Sequence, residues 1–224
     1  MASPNENPPT KYGVLLFPGF QALDVFGPLD ILNILSKYHR PKPMDLVVVA
    51  ATLDPVSTTV SDAEFGQRIV PTHTFDTAPE DIEVLLVPGG MGTREDAIAG
   101  PAIAYVKKIF PKLRYLLTVC TGSALVAQAG LLEGKRATTN KTVWKWATAQ
   151  GPNVDWVLEA RWVTDNNIWT SSGISAGISA GIDMMYAFVS AMYGEETAQD
   201  IADVSEYRRN TDPTDDPFVK LADV

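Results

Sequence analysis

Three short runs of apolar residues, each stopping at a turn, constrain this chain more than any other feature. Residues 12–17 (YGVLLF) end at Pro18-Gly19, Val84–Val87 (VLLV) ends at Pro88-Gly89-Gly90, and Tyr115–Val119 (YLLTV) runs into Cys120-Thr121-Gly122-Ser123. Near-continuous rather than alternating apolarity describes strands buried on both faces, and such strands belong to a mostly parallel sheet covered by helices. Residues 46–51 form a fourth strand of this kind, and residues 69–72 a weaker one. Helical patterns fill the intervals. Residues 21–38 place Leu23, Phe26, Ile31, Leu32 and Leu35 roughly on one face, with a kink or restart at Gly27-Pro28. Residues 101–110 read as a helix with Pro101 in its first turn, and the apolar helix over 124–129 is closed by Gly130.

The remainder is less regular. Residues 53–68 are polar and read as hairpin-like or irregular, 136–139 as a short strand, and 143–150 as a helix carrying Trp144 and Trp146. Residues 161–164 and 168–171 flank Asp165-Asn166-Asn167 as a hairpin. Small apolar residues over 177–193 read as a packed helix, and 195–204 as the last one. Within this stretch Ile174-Ser175-Ala176-Gly177 is repeated at once as Ile178-Ser179-Ala180-Gly181. Four extra residues add about one helical turn, which either is harmless or reshapes a neighbouring pocket.

Strands alternating with helices define an α/β fold, and ligands of such sheets sit at the carboxyl ends of the strands. Asp24, Gly89-Gly90 and Cys120 all follow strands and converge there. A chain of 224 residues, 46% hydrophobic, suits one core. The expected organisation is a disordered tail over 1–10, a single domain over 11–209 and an acidic, solvated tail over 210–224.

Composition excludes several classes. No apolar run approaches the ~20 residues of a membrane-spanning helix, and the N-terminus lacks the basic start and apolar stretch of a secretory signal. The cytoplasm is the expected location. A net charge of -9 opposes phosphate backbones and anionic lipid, so neither nucleic acid nor membrane is an expected partner. A small neutral or weakly polar molecule is. One cysteine permits neither an internal disulfide nor a multi-cysteine zinc site, and no metal is expected.

Cys120 is therefore a thiol, either a small buried core residue or a nucleophile. Its place between a strand and a helix is that of a nucleophile elbow, where a helix N-terminus favours the thiolate and the next residue offers its N–H to an oxyanion. Asp24 either caps the first helix or acts as general acid and base over the same strand ends, a role that desolvation favours by raising its pKa. Gly89-Gly90 is either a tight turn or a close backbone approach that completes an anion-stabilising pair with Thr121. His39 and His73 lie away from the expected thiol position, which argues against a cysteine–histidine pair. The tryptophans are most simply core or interface residues.

The segments YGVLLFPGFQALDVFGPLDIL, VLLVPGGMGT, LLTVCTGSALVAQAGLLEGKRATTN and SSGISAGISAGID together resemble the ThiJ/PfpI superfamily, and within it the isocyanide (isonitrile) hydratase branch. The similarity runs from about residue 12 to about residue 205. It implies a flavodoxin-like three-layer sandwich, a homodimer, and a cofactor-free hydro-lyase. It also implies that Cys120 is the nucleophile, Asp24 its partner carboxylate, and Gly90 and Thr121 the residues whose N–H groups flank the reacting atom. Many relatives carry histidine where this chain has Asn140, so a histidine-dependent protease or amidase mechanism is not expected. No helix-turn-helix module, of the kind appended in related regulators, is expected either. The favoured reaction is hydration of an isocyanide to an N-substituted formamide. The alternatives are a glyoxalase-like conversion of methylglyoxal to lactate and a cysteine redox sensor without turnover.

Overall fold

A computed structural model describes residues 7–39, 43–61, 65–173 and 179–222. Its strands are β1 (Lys11–Leu15), β2 (Asp45–Ala50), β3 (Val56–Ser57), β4 (Arg68–Ile69), β5 (His73–Thr74), β6 (Val84–Val87), β7 (Tyr115–Val119), β8 (Arg136–Ala137), β9 (Asp155–Trp156), β10 (Trp162–Asp165) and β11 (Ile168–Ser171). The helices are α1 (Ala22–Ile34), α2 (Asp96–Ile109), α3 (Gly122–Gln128), α4 (Trp144–Ala149), α5 (Ser179–Tyr193) and α6 (Glu195–Val204). A seven-stranded sheet runs in the order β10-β11-β7-β6-β1-β2-β5. Every neighbouring pair in it is parallel except the β10–β11 hairpin, in which Trp162 faces Ser171 and Asp165 faces Ile168. β3 pairs with β4 and β8 with β9 as separate two-stranded ribbons.

The apolar runs are buried as their composition requires: all four residues of β6 are inaccessible, as are the last four of β1 and of β7. α1, α5 and α6 pack together, and so do α2 and α3. The topology explains this grouping. β1 leads through α1 to β2 on one side, whereas β6 leads through α2 to β7 on the other. Right-handed crossovers in opposite directions put their helices on opposite faces and leave a crevice between β1 and β6 at their carboxyl ends. The result is a flavodoxin-like three-layer α/β arrangement. An isolated bridge between Phe20 and Gly90 spans that crevice.

Two local expectations change. α1 continues through Gly27-Pro28 and passes into a π-helical turn at Leu35–His39. Pro28 has no N–H for the carbonyl of Asp24, so the one missing helical bond falls beside a candidate site residue. α2 starts at Asp96, ahead of Pro101, which lies inside it. A proline so near the start removes one early hydrogen bond without ending the helix. The tetrapeptide duplication lies largely outside the described residues; only Ser179, Ala180 and Gly181 are seen, in the first turn of α5.

Hydrogen bonds tie the described residues near both ends to the rest of the domain. Residues 1–6 lie outside the described residues, but the Thr10 and Lys11 N–H groups donate to Glu83 Oε2 at 2.6 and 3.1 Å. Residues 210–222 are held against the domain at several points, although residues 211–215 are exposed. The N–H of Arg161 donates to the carbonyl of Pro213 at 2.7 Å, and the N–H of Asn210 to Asp183 Oδ1 at 3.0 Å. Asp183 also holds the Arg161 guanidinium at 2.9 Å from Nε and the Tyr207 hydroxyl at 3.0 Å. The charges that make this segment look solvated are partly used internally. Among the described residues no helix is long and apolar enough to cross a membrane, and no group of three or more His, Cys, Asp or Glu could hold a metal.

Candidate active site at the end of β7

The turn after β7 is strained. Cys120 has φ 59°, one of three non-glycine residues with positive φ among the described residues. This left-handed conformation is costly for a side chain with a Cβ and persists only where its surroundings hold it. Here its N–H donates to Ser171 at 3.1 Å, and its carbonyl accepts from Ser123 Oγ at 3.0 Å and Thr139 Oγ1 at 3.2 Å. The turn aims the side chain into the space beyond the strand ends. Neighbouring backbone closes round it: a methyl on Gly173 would overlap both Sγ and Cβ of Cys120. One on Gly89 would come within 2.7 Å of that Cβ.

Four groups face the sulfur. Asn140 Nδ2 donates to Sγ at 3.1 Å. The orientation of this amide follows from its other end, since Asn140 Oδ1 accepts from the Thr142 N–H at 2.9 Å and from Thr142 Oγ1 at 2.7 Å. The N–H and hydroxyl of Thr121 lie near the sulfur and act to lower its pKa. The fourth group is Asp24, on the first turn of α1, which is buried at 3% exposure and close enough to Cys120 for each to shift the other's pKa. Its Oδ2 accepts the Gly89 N–H at 3.0 Å.

Sequence reasoning thus placed Cys120, Asp24 and Thr121 together, and the structure brings them into contact. Gly90 differs: its N–H donates to Thr121 Oγ1 at 3.0 Å rather than facing the sulfur directly. Thr93 Oγ1 donates to the same hydroxyl oxygen at 3.0 Å. The Thr121 hydroxyl in turn donates to the carbonyl of Gly90 at 3.4 Å, which also accepts from Thr93 Oγ1 at 2.7 Å. The sequence marks Asn140 only by the histidine it lacks. Its Asx-type cap on Thr142 pins the amide locally, but nothing local shows that the amide meets the sulfur. His73 lies on β5, four strands from β7.

The electrostatics depart from expectation at the thiol. Burial, followed by the nearby Asp24 charge, pushes Cys120 up to about 12, outweighing the donors from Asn140 and Thr121. The resting group is a thiol. α3 spans only Gly122–Gln128, too short a dipole to outweigh desolvation. Burial raises Asp24 to about 7, against the lowering effect of Gly89 and Cys120. The site therefore pairs a protonated sulfur with a carboxyl poised at neutrality, so a proton can pass between them. The Asn140 amide donates but cannot take that proton.

A flavodoxin-like sheet with a cysteine at a strained strand-to-helix turn defines a class of cysteine-elbow α/β domains. Within that class, this chain belongs to the DJ-1/PfpI family, which it matches over residues 10–189. It is 34% identical to an isonitrile hydratase of Pseudomonas putida over 189 residues, covering 84% of this chain and 75% of that protein. A deglycase of Pyrococcus horikoshii is 27% identical over 150 residues, covering 66% and 86%. The crystal structure of a ThiJ/PfpI family protein from Pseudomonas syringae superposes with a TM-score of 0.74 at 30% identity, covering 93% of this chain and 83% of that one.

Proposed function

We propose that this protein is a cofactor-free hydratase that converts an isonitrile to an N-substituted formamide, with Cys120 as nucleophile and Asp24 as the proton carrier. The observation that carries the reading is the contact of the Cys120 thiol with a buried carboxyl at about 7 and a neutral amide, with no imidazole at the sulfur among the described residues. The likeness to an isonitrile hydratase supports it.

In the first half, the Asp24 carboxylate takes the thiol proton as sulfur attacks the terminal isonitrile carbon. The resulting carboxylic acid then protonates that carbon, which leaves a thioimidate on Cys120. In the second half, Asp24 takes a proton from water as it adds to the thioimidate carbon, and gives that proton to nitrogen. The carbon–sulfur bond breaks, the formamide leaves, and the proton from the new hydroxyl returns to sulfur through the same carboxyl. One isonitrile and one water yield one formamide. Thr121 and Asn140 supply hydrogen bonds to the sulfur as it gains and loses charge, and Gly90 orients the Thr121 hydroxyl. The substrate is a small molecule, and the protein works as a homodimer in the cytoplasm.

Incubation with a simple isonitrile is expected to yield the formamide, with kcat/KM rising with pH through about 7 as Asp24 ionises. Cys120→Ala and Asp24→Ala are each expected to remove the activity. Formamide production that survives Asp24→Ala excludes the role of that carboxyl; turnover of methylglyoxal but not of the isonitrile replaces the reaction with the glyoxalase-like one.

A further inference from the structure

Next to Asn140 lies a fully buried lysine that the proposed chemistry does not use. The Lys141 side chain is 0% exposed, as is that of Asp216, and their nearest charged atoms are 3.4 Å apart. The ammonium also donates to Thr138 Oγ1 at 2.7 Å, to the carbonyl of Ala160 at 3.0 Å and to that of Thr139 at 3.2 Å. Trp144 lies against it, with the ring centroid 5.0 Å from Nζ. Asp216 Oδ1 accepts the N–H of Phe218 at 3.0 Å, while Oδ2 has no hydrogen-bond partner among the described residues and faces the ammonium across the ion-pair contact.

These contacts tie three pieces of chain together. Lys141 folds back over residues 138–139, reaches Ala160, and engages a carboxylate from the C-terminal segment. On the opposite side, residues 138–140 engage the elbow: Thr139 Oγ1 bonds the carbonyl of Cys120 at 3.2 Å and Asn140 Nδ2 bonds its sulfur at 3.1 Å. The strand that precedes them is only two residues long, so β-pairing alone fixes this segment poorly. Stability is a weak reason for burying the pair, since apolar residues of similar volume commonly do as well, whereas removing one partner leaves a costly buried charge. Fixing one geometry for the segment beside Cys120 is a stronger reason.

We propose that Lys141 and Asp216 are positioning residues for Cys120: the pair holds the Asn140 amide against the sulfur, which makes the C-terminal segment around Asp216 part of the active centre. This rests on the reading of Cys120 as a nucleophile. Without Asp216, the ammonium loses its counter-charge, residues 138–141 shift, and the amide no longer meets the sulfur at bonding distance.

A double-mutant cycle on the full-length protein tests this, with the rate of Cys120 alkylation by iodoacetamide at neutral pH as readout. The variants are Asp216→Asn, Asn140→Ala and the two combined. Should Asp216→Asn fail to fold, Lys141→Met with Asp216→Leu takes its place in the same cycle. The Asp216 change is expected to slow alkylation about tenfold when Asn140 is present and by less than about twofold when it is absent, the non-additivity of residues acting through one another. Equal slowing in both backgrounds shows a merely structural role and overturns the inference, as does no slowing in either. A native thiol that iodoacetamide does not touch overturns the nucleophile reading itself, and the positioning role with it. A reactive thiol that turns over no isonitrile overturns only the reaction, and leaves the cycle to decide the positioning role.

Discussion

Cys120 and Asp24 act on each other at the scale of single residues. The strained φ of 59° points the thiol at the strand ends, and the carboxyl that meets it has been taken out of water. That has a consequence for stability. The carboxyl rises from 3.8 to about 7 in the folded state through burial, so the folded protein holds this proton more tightly than the unfolded chain. Its contribution to stability is fully present below pH 3.8 and is lost as pH rises through about 7. The loss is at most roughly 4 kcal/mol. Asp24→Asn is thus expected to gain less over the native protein near about pH 5 than near about pH 8, as read by urea midpoints. A midpoint difference that does not change with pH would mean that this carboxyl titrates normally. Both residues were legible in the sequence because each follows a recognisable strand. Asn140 was not, since its role depends on a contact across 20 residues of chain with an atom that no local pattern identifies.

Elements were readable in proportion to their length and burial. β6 and β7 match the expected runs residue for residue, because a fully buried strand has to be apolar throughout. β3, β4 and β5 are two residues each, too short to show a period. What anchors the first strand is similarly non-local. Glu83, just before β6, accepts the N–H groups of Thr10 and Lys11, and its Oε1 takes the Arg114 guanidinium at 2.6 Å. Burial works against the ionised carboxyl, but the Thr10 N–H, Arg114 and the Lys11 N–H outweigh it and hold its pKa below 4.5. The stability this gives is present above that ordinary value and is lost as pH falls through the lowered one. Glu83→Gln is expected to cost about 1–3 kcal/mol at neutral pH, with the deficit shrinking in acid. Chemical denaturation across that range measures it, and a deficit that persists undiminished in acid would argue against ionisation as its cause.

At the scale of the whole molecule, one core joins the sheet to both helical layers, and α5 supplies much of one side. Phe188 is 0% exposed and meets Tyr115 and Trp169 edge-on, at 5.2 and 5.5 Å between centroids. Phe188→Ala is expected to destabilise the protein by about 3–5 kcal/mol, read as a lower urea midpoint with an unchanged slope. A loss under about 1 kcal/mol would mean that the layers adjust to fill the space. The sequence alone determined the α/β class, the strands that carry the candidate site and the placing of Cys120 and Asp24 at the strand ends. Each of these is written in local patterns of burial and turn chemistry. Only the tertiary structure decided that Asn140 meets the sulfur, that Gly90 acts on Thr121 rather than on the sulfur, and that the acidic C-terminal segment turns inward to pair with Lys141. Those outcomes depend on which distant charges and amides become neighbours. Desolvation and pairing set their behaviour, and neither is a property of the residue type or of its neighbours in the chain.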